Sequence, residues 1–453
     1  METNLSQKMT NYRWTICALV FFATTINYLD RNVLGLLKTT LSDIGMFGED
    51  KANQELYYSY VIMSFQISYA LGMLGIGRVI DKIGTKRGYA VALFGWSLAA
   101  IGHAFARSTF GFGFWRAALG VTEAGNFPAA NKTIAVWFPK KERAFATGIY
   151  NSGANIGAVI APLSVPFIAD AMGWEWAFIL TGVVGLLWLF FWLTTYKSPT
   201  EKLKEGKVSQ AEFDFIHSDK DEEVVADETK EKVSWFRLLG YRQTWAFFFG
   251  KFLTDPVWWF FMFWLPAFLE GENARHIADG QPEKVIAWPF AVAVVYTVST
   301  LGSVLGGWLP KKFMNSGMDA NKARKTAMFI YACFPLTILF ASYLGEINTW
   351  YAVATIAIAC SAHQAWSANI FTTVSDMFPK KAVASVTGIG GMAGSFGGML
   401  VAWSAGLLLS HFTELGTIEK GYSILFIACA LAYLLAWFVM HLFVPKFKKI
   451  SDL

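Results

Sequence analysis

The stretch FPKKERAFATGIYNSGANIG, residues 138–157, has a counterpart in FPKKAVASVTGIGGMAGSFG, residues 378–397. The Phe-Pro-Lys-Lys run, the Thr-Gly-Ile run and the last glycine recur at one interval of 240 residues (138 and 378, 147 and 387, 157 and 397). Matches that keep one offset across a loop and the helix behind it indicate an internal repeat. The sequence therefore predicts two similar halves in parallel, with a site at their interface.

Composition places both halves in a membrane. Of the 453 residues, 55% are hydrophobic and 16% charged, whereas soluble domains carry about 25% charged residues. The apolar blocks are long enough to cross about 30 Å of hydrocarbon as helices. We predict an all-α membrane protein with about twelve transmembrane helices in two six-helix, pseudo-symmetric halves. The predicted spans are 13–37, 55–79, 86–106, 109–136, 142–170, 173–196, 243–270, 285–310, 323–345, 348–375, 381–410 and 421–444.

A polar stretch divides the chain into its two halves. Residues 218–232, SDKDEEVVADETKEK, form the only long charged run, which is typical of a solvated linker with at most a short surface helix. We predict a first half at 1–196, a cytoplasmic linker at 197–240 and a second half at 241–453.

Lysine and arginine are concentrated in alternate loops, which predicts the orientation. The basic loops include Lys82, Lys86, Arg87, Lys140, Lys141, Arg143, Lys311, Lys312, Lys380 and Lys381. Both termini are therefore predicted to be cytoplasmic, in a bacterial inner membrane. The first apolar block lacks a small-residue cleavage site, so it is expected to stay as the first helix.

Other functional classes receive no support. Four cysteines lie inside apolar blocks without metal-binding spacing, so we expect packing residues and neither a metal nor a cofactor. The net charge of +5 resides in short loops, which does not indicate a nucleic-acid partner. The glycine-rich stretch GIGGMAGSFGGM lacks the phosphate-loop pattern and predicts close helix packing or a hinge.

Four charges interrupt apolar spans: Asp30 and Arg31 in the first, Arg116 and Glu123 in the fourth. Each costs about 2.5–3.5 kcal/mol at bilayer depth, so such groups usually face a cavity and mark a transport path. Arg116 and Glu123 are two helical turns apart and share one face. Counting residues from the span ends places the arginines in the outer half and Glu123 near the middle.

These charges suit coupled transport of an anion and a proton. An arginine grips a carboxylate in bidentate fashion. Burial favours the protonated form of a carboxylate, and a nearby arginine favours the ionised form. A substrate anion that pairs with the arginine therefore releases the carboxylate, which then favours binding a proton. The alternative is a set of fixed ion pairs that hold two helices together, although such pairs seldom add stability.

The repeat adds a candidate in the second half. Position 123 maps onto His363, which predicts a second titratable group facing Glu123, with Gln364 and Asn369 nearby as substrate contacts. The alternative is a packing histidine.

Two further sets of residues are candidate sugar contacts. Asn151 and Asn155 are one turn apart, and amides suit hydroxyls, although interhelical hydrogen bonding is an equal alternative. Asp255-Pro256 predicts a broken seventh helix with free carbonyls. Trp258 and Trp259 suit stacking on a sugar ring, with a membrane-interface role as the alternative.

The loop after the second span, GRVIDKIGTKR at 77–87, resembles the signature of the major facilitator superfamily. The resemblance implies that Asp81 meets the positive end of the eleventh helix, near Lys380–Val383, and that basic residues complete an inner gate. The predicted gate residues are Gly77, Asp81, Gly84, Lys86, Arg87 and Arg143.

Within that superfamily the chain resembles anion:cation symporters of sugar acids, especially hexuronate transporters. The stretches INYLDRNVLG, EAGNFPAANKT, FLTDPVWWFFMFWLP and AHQAWSANIFTTVSDMFPKK carry the likeness. It implies that Asp30 and Glu123 bind protons, that Arg31 and Tyr69 contact substrate beside Tyr28, and that Arg116 partners Glu123. Ala154 and Met392 stand where aldonate-transporting members tend to have amides, which weakens an aldonate assignment.

The sequence thus predicts a monomeric, proton-coupled importer of hexuronates such as galacturonate and glucuronate, embedded in the lipid bilayer and working by alternating access. A symporter of aldonates or another small organic anion, driven by protons or sodium, is the alternative. A membrane sensor or an enzyme fits less well, because neither a signalling domain nor a nucleophile–base set is evident.

Overall fold

The computed structural model describes residues 9–218, 234–448 and 450. Within those ranges it leaves undescribed the side chains of Arg78, Asp81, Lys140, Lys141, Ala144, Lys380, Lys381 and Ala384. The helices are α1 (Tyr12–Leu36), α2 (Lys38–Asp43), α3 (Lys51–Ile83), α4 (Thr85–His103), α5 (Thr109–Glu123), α6 (Asn126–Trp137), α7 (Lys140–Met172), α8 (Trp174–Thr195), α9 (Pro199–Lys204), α10 (Gln210–His217), α11 (Trp235–Leu238), α12 (Arg242–Ala278), α13 (Trp288–Asn315), α14 (Ala320–Cys333), α15 (Ala341–Ile347), α16 (Thr349–Met377), α17 (Lys380–Glu414) and α18 (Ile418–Phe443).

These helices confirm the predicted all-α membrane fold. Among the described residues, eight helical segments are long and apolar enough to cross a membrane. They are α3, α7, α8, α12, α13, the combined segment Ala320–Ile347, α17 and α18. The passes formed by α1, α4, α5 with α6, and α16 complete two sets of six. Buried charges lower the hydropathy of α1, and the fourth pass is divided into α5 with 15 residues and α6 with 12, each too short to cross a membrane alone.

The fourth pass differs from the continuous helix that the sequence predicted. It breaks between Glu123, the last residue of α5, and Asn126, the first of α6. Pro128 lacks the amide that would bond the carbonyl of Ala124, four residues earlier. Gly125 permits close packing, because a Cβ there would lie 2.7 Å from the Cβ of Ala92. The break therefore sets Glu123 at a helix end inside the bundle.

Helix pairing repeats between the halves. In the first half α1 packs on α7, and in the second α12 packs on α17. Likewise α3 packs on α5 as α13 packs on α16. The halves meet where α3 contacts α17 and where α7 contacts α13, and these two interfaces are equivalent under the repeat. This arrangement is the pseudo-symmetry that the sequence repeat predicted.

The repeated glycines explain how each half packs. A Cβ at Gly157 of α7 would collide with the carbonyl of Thr25 on α1, and a Cβ at Gly397 of α17 would collide with that of Phe252 on α12. Only a residue without a side chain lets these backbones approach so closely. The predicted close-packing role of the glycine-rich stretch is thereby confirmed.

We expect Gly302→Ala to destabilise the second half. The added methyl group would overlap the backbone carbonyl of Ser361 on α16, and overpacking of this kind typically costs about 1–3 kcal/mol. Gly307→Ala on the same helix is the matched control, because no atom lies within 4 Å of a Cβ there. Thermal unfolding of the detergent-purified protein should show a lower Tm for Gly302→Ala only. Equal Tm values for the two variants would contradict this packing account.

The two halves touch closely at one end of the bundle. We call the end that carries the 138–141 loop and the linker the basic end. At the opposite end, Tyr58 on α3 donates to the carbonyl of Phe263 on α12 at 2.9 Å. A Cβ at Gly35 of α1 would lie 2.7 Å from the carbonyl oxygen of Met262. Towards the basic end, a Cβ at Gly77 or Gly148 would meet no atom within 4 Å. The halves are thus in contact on the side away from the linker.

The linker is more structured than the solvated segment that the sequence predicted. Glu212 of α10 is fully buried and accepts hydrogen bonds from the backbone amides of Tyr12 and Arg13 at 3.1 Å, where α1 begins. The same carboxylate pairs with the Arg13 guanidinium at 3.0 Å. The charged run at 219–233 lies outside the described residues.

Glu205 is an exposed carboxylate of the linker that pairs with two lysines. Hydrogen bonds from Lys197 and then Lys202 lower the pKa of Glu205 to about 2. The carboxylate therefore stays ionised across the physiological range.

Candidate substrate and proton site

Arg31 and Glu123 form the central ion pair. The Arg31 side chain on α1 donates from Nε and Nη2 to Oε2 of Glu123 at 2.9 and 2.7 Å. The same Nη2 lies 3.3 Å from Oδ1 of Asn27. Arg31 is 1% exposed and Glu123 is fully buried. Such a pair is costly to desolvate, so stability alone does not account for it.

Four aromatic rings surround the Arg31 guanidinium. Its Cζ lies 4.8 Å from the ring centre of Tyr28, 5.2 Å from Phe65, 5.0 Å from Tyr69 and 5.2 Å from Trp259. Cation–π contacts hold the guanidinium without using its hydrogen-bond donors. Trp259 belongs to the second half, so this aromatic box joins the two halves around one charge.

Arg116 does not pair with Glu123, the partner that family resemblance implied. Its Nη2 donates to the backbone carbonyl of Arg31 at 3.1 Å, while Nε and Nη1 have no hydrogen-bond partner. The side chain is fully buried and its Cζ lies 5.6 Å from the ring centre of Phe65. Glu123 is hydrogen-bonded to Arg31, so Arg116 has two unpaired donors beside the same site.

Asp30 is 2% exposed, and its carboxylate faces the hydroxyl of Thr181 on α8 without a well-aligned hydrogen bond. It neighbours Arg31 in sequence and points to another side of α1. Burying a carboxylate with so little hydrogen bonding is costly if it is ionised. The arrangement fits a proton site separate from the Arg31–Glu123 pair.

His363 contacts residues of its own half. Its Nδ1 lies 2.7 Å from the hydroxyl of Tyr433, and its ring stacks on Trp258 with centroids 5.1 Å apart. The structure therefore places His363 against α12 and α18 rather than against Glu123. Trp258 and Trp259 are both half-buried inside the bundle, which argues against the membrane-interface alternative.

The predicted amide contacts divide into two groups. Asn369 donates to the carbonyls of Gly306 and Ala365 at 2.7 and 2.9 Å, so its donors serve helix packing and not a substrate. Gln364 lies 3.5 Å from Ser303 in the same interface. Asn151 is exposed and Asn155 is half-buried on α7, so both remain candidate contacts.

The expected break at Asp255-Pro256 was wrong, because α12 continues through both residues. The carbonyl of Phe252, which Pro256 cannot bond, lies instead against Gly397 of α17. Sequence reasoning also missed an ion pair in this helix, in which Lys251 Nζ lies 2.7 Å from Oδ2 of Asp255. Two opposite charges four residues apart in an apolar span were the available signal.

The gate residues lie at the basic end of α3, α4 and α7. Gly84 ends α3 with φ of +83°, a conformation that favours glycine. Lys86 is half-buried and Arg87 is exposed. Arg143 donates to the carbonyls of Phe138 and Ala135 at 2.9 and 3.0 Å, where the fourth pass ends. The Asp81 side chain lies outside the described part of the structure, so its predicted contact with α17 stays a prediction.

Comparison with known proteins yields one family. The family model described as Major Facilitator Superfamily matches residues 20–402. The hexuronate transporter of Escherichia coli (strain K12) is 31% identical over 444 residues, which cover 96% of this chain and 95% of that protein. The galacturonate transporter of Dickeya chrysanthemi is 32% identical over 362 residues, covering 79% of this chain and 97% of the relative.

A solved structure supports the fold. The crystal structure of a D-xylose-proton symporter superimposes with a TM-score of 0.73, covering 97% of this chain and 99% of that one. Its sequence identity of 14% restricts the likeness to the fold.

Proposed function

The chain belongs to the major facilitator superfamily and is an integral membrane transporter, and from this premise we propose that it imports hexuronates such as galacturonate and glucuronate together with protons. The observation that carries the proposal is the Arg31–Glu123 pair inside its aromatic box. The named relatives above are transporters of hexuronate and galacturonate, which supports a sugar acid as the substrate.

Binding and proton uptake are linked by competition for one guanidinium. The substrate carboxylate would take the Arg31 donors that Glu123 now holds at 2.7 and 2.9 Å. Glu123 would then be a buried carboxylate without its cation, a state that costs several kcal/mol unless a proton neutralises it. Binding of one anion together with one proton leaves the net charge of the site unchanged.

The remaining groups have subsidiary roles in this proposal. Arg116, with two unpaired donors, would hold the displaced Glu123 or the substrate carboxylate. Asp30 would hold a second proton, separate from the one that Glu123 takes up with each anion. Tyr69 and Trp259 would pack on the sugar ring once it replaces part of the box around Arg31.

Orientation and gating follow from the same premise. The basic end would face the cytoplasm of a bacterial inner membrane, with both termini there. The close contact at the opposite end would then be a closed outer gate, and transport requires these helices to part while the basic end closes.

The direct test is uptake of labelled sugar acids into proteoliposomes with an imposed pH gradient. We expect galacturonate and glucuronate to accumulate faster than galactonate, and accumulation to vanish when the gradient is collapsed. Lack of galacturonate and glucuronate uptake would refute the substrate assignment. Uptake driven by a sodium gradient alone would refute proton coupling.

A further inference from the structure

A second ion pair lies close to the Arg31 site. Lys251, Asp255 and Trp259 stand at positions i, i+4 and i+8 of α12 and therefore share one face. Trp259 on that face packs on the Arg31 guanidinium at 5.2 Å. Asp255 lies roughly 6 Å further along the helix axis, towards the basic end. That separation is comparable with the length of a six-carbon sugar acid.

Helix packing does not require this pair. Lys251 and Asp255 belong to one helix, so their 2.7 Å contact joins no two elements. The Lys251 ammonium also lies 4.4 Å from the ring centre of Phe371 on α16, but that contact does not need Asp255. The two side chains are 7% and 19% exposed, and an ion pair in such a place adds little net stability. Charged groups at membrane depth that do not serve packing usually serve transport.

The opposing helix leaves room for the Asp255 carboxylate. Gly394 of α17 packs on it so closely that a Cβ would overlap Oδ2. One turn further on, Gly398 faces Trp259 and Gln66 of α3, with a Cβ position 3.1 Å from the Trp259 ring. Both side-chain amide atoms of Gln66 are buried without a partner. A polar ligand between α12, α17 and α3 would satisfy these atoms.

We propose that Lys251 and Asp255 form a charge-neutral subsite that binds the hydroxyl-bearing end of a sugar monocarboxylate and rejects a second carboxylate. The inference rests on the proposed function, in which Arg31 takes the first carboxylate. A lysine–aspartate pair presents donors and acceptors together, as vicinal hydroxyls require. A second carboxylate would instead lie beside Asp255, and like charges placed together are strongly unfavourable.

The test compares galacturonate with galactarate, which carries a carboxylate at both ends. Inhibition of labelled galacturonate uptake by each compound gives a selectivity ratio for wild type, Asp255→Asn and Lys251→Gln. We expect Asp255→Asn to shift the ratio towards galactarate by at least about tenfold, because the positive charge of Lys251 then has no negative partner and attracts the second carboxylate. Lys251→Gln should shift it the opposite way, and the double variant should return near the wild-type ratio.

Lys38→Gln is the matched control, since Lys38 pairs with Glu55 at 2.6 Å near the opposite end of the bundle. Its selectivity ratio should not move. Shifts in the same direction for both single variants, or ratios that match the control, would overturn the proposal. If a variant is transport-inactive, ligand-induced thermal stabilisation of the purified protein gives the same ratio with the same expectations. Absence of galacturonate uptake by wild type would instead refute the proposed function itself.

Discussion

Arg31→Gln is expected to lower kcat/KM for galacturonate uptake by about a hundredfold or more. Truncating one member of a buried, hydrogen-bonded charge pair costs about 2–5 kcal/mol, and each 1.4 kcal/mol is a factor of ten. The substrate carboxylate also loses its bidentate partner, so Arg31→Lys should recover only part of the activity. Initial rates in proteoliposomes with matched protein content measure the effect.

Two further variants separate chemistry from folding. Arg107→Gln removes an arginine that pairs with Glu175 at 3.6 Å and is 58% exposed at its side chain, so uptake should stay within about twofold of wild type. The double variant Arg31→Gln/Glu123→Gln removes both buried charges and should restore thermal stability without restoring uptake. Wild-type uptake by Arg31→Gln would show that the anion binds elsewhere.

Glu123→Gln is expected to abolish accumulation while keeping exchange. A glutamine fills the same volume and can still bond Arg31, but it cannot carry a proton. With one proton per anion, wild type should reach about a tenfold concentration ratio for each pH unit, whereas the variant should reach equality. Exchange of labelled for unlabelled galacturonate, measured without a gradient, should persist in the variant.

Glu175→Gln is the control for Glu123→Gln. Glu175 pairs with Arg107 at 3.6 Å and its side chain is 35% exposed, so its variant should accumulate substrate normally. Gradient-driven accumulation by Glu123→Gln would exclude Glu123 as the coupling residue.

The fold was predictable because it depends on patterns that persist along the chain. The 240-residue repeat anticipated that Gly157 and Gly397 would play equivalent roles, and both indeed receive a backbone carbonyl of the neighbouring helix. Irregularities were harder to predict, because their outcome depends on neighbours. Pro128 breaks the fourth pass, whereas Pro256 leaves α12 continuous beside Gly397.

The sequence identified the charged residues of the site but not which of them pair with each other. Apolar context identified Arg31, Arg116 and Glu123, yet the rotation of α1 against α5 decides that Glu123 bonds Arg31. The same context would have identified Lys251 and Asp255. Periodicity also could not show that the Asn369 amide is used within the α13–α16 interface.

The competition of substrate and Glu123 for Arg31 is tested most directly by proton movement. Wild-type protein in sodium-free proteoliposomes, with a pH-sensitive dye inside and no imposed gradient, would receive external galacturonate. We predict internal acidification that follows uptake one proton per anion and is absent in Glu123→Gln. Galacturonate uptake by wild type without any change of internal pH would contradict the coupling of anion to proton.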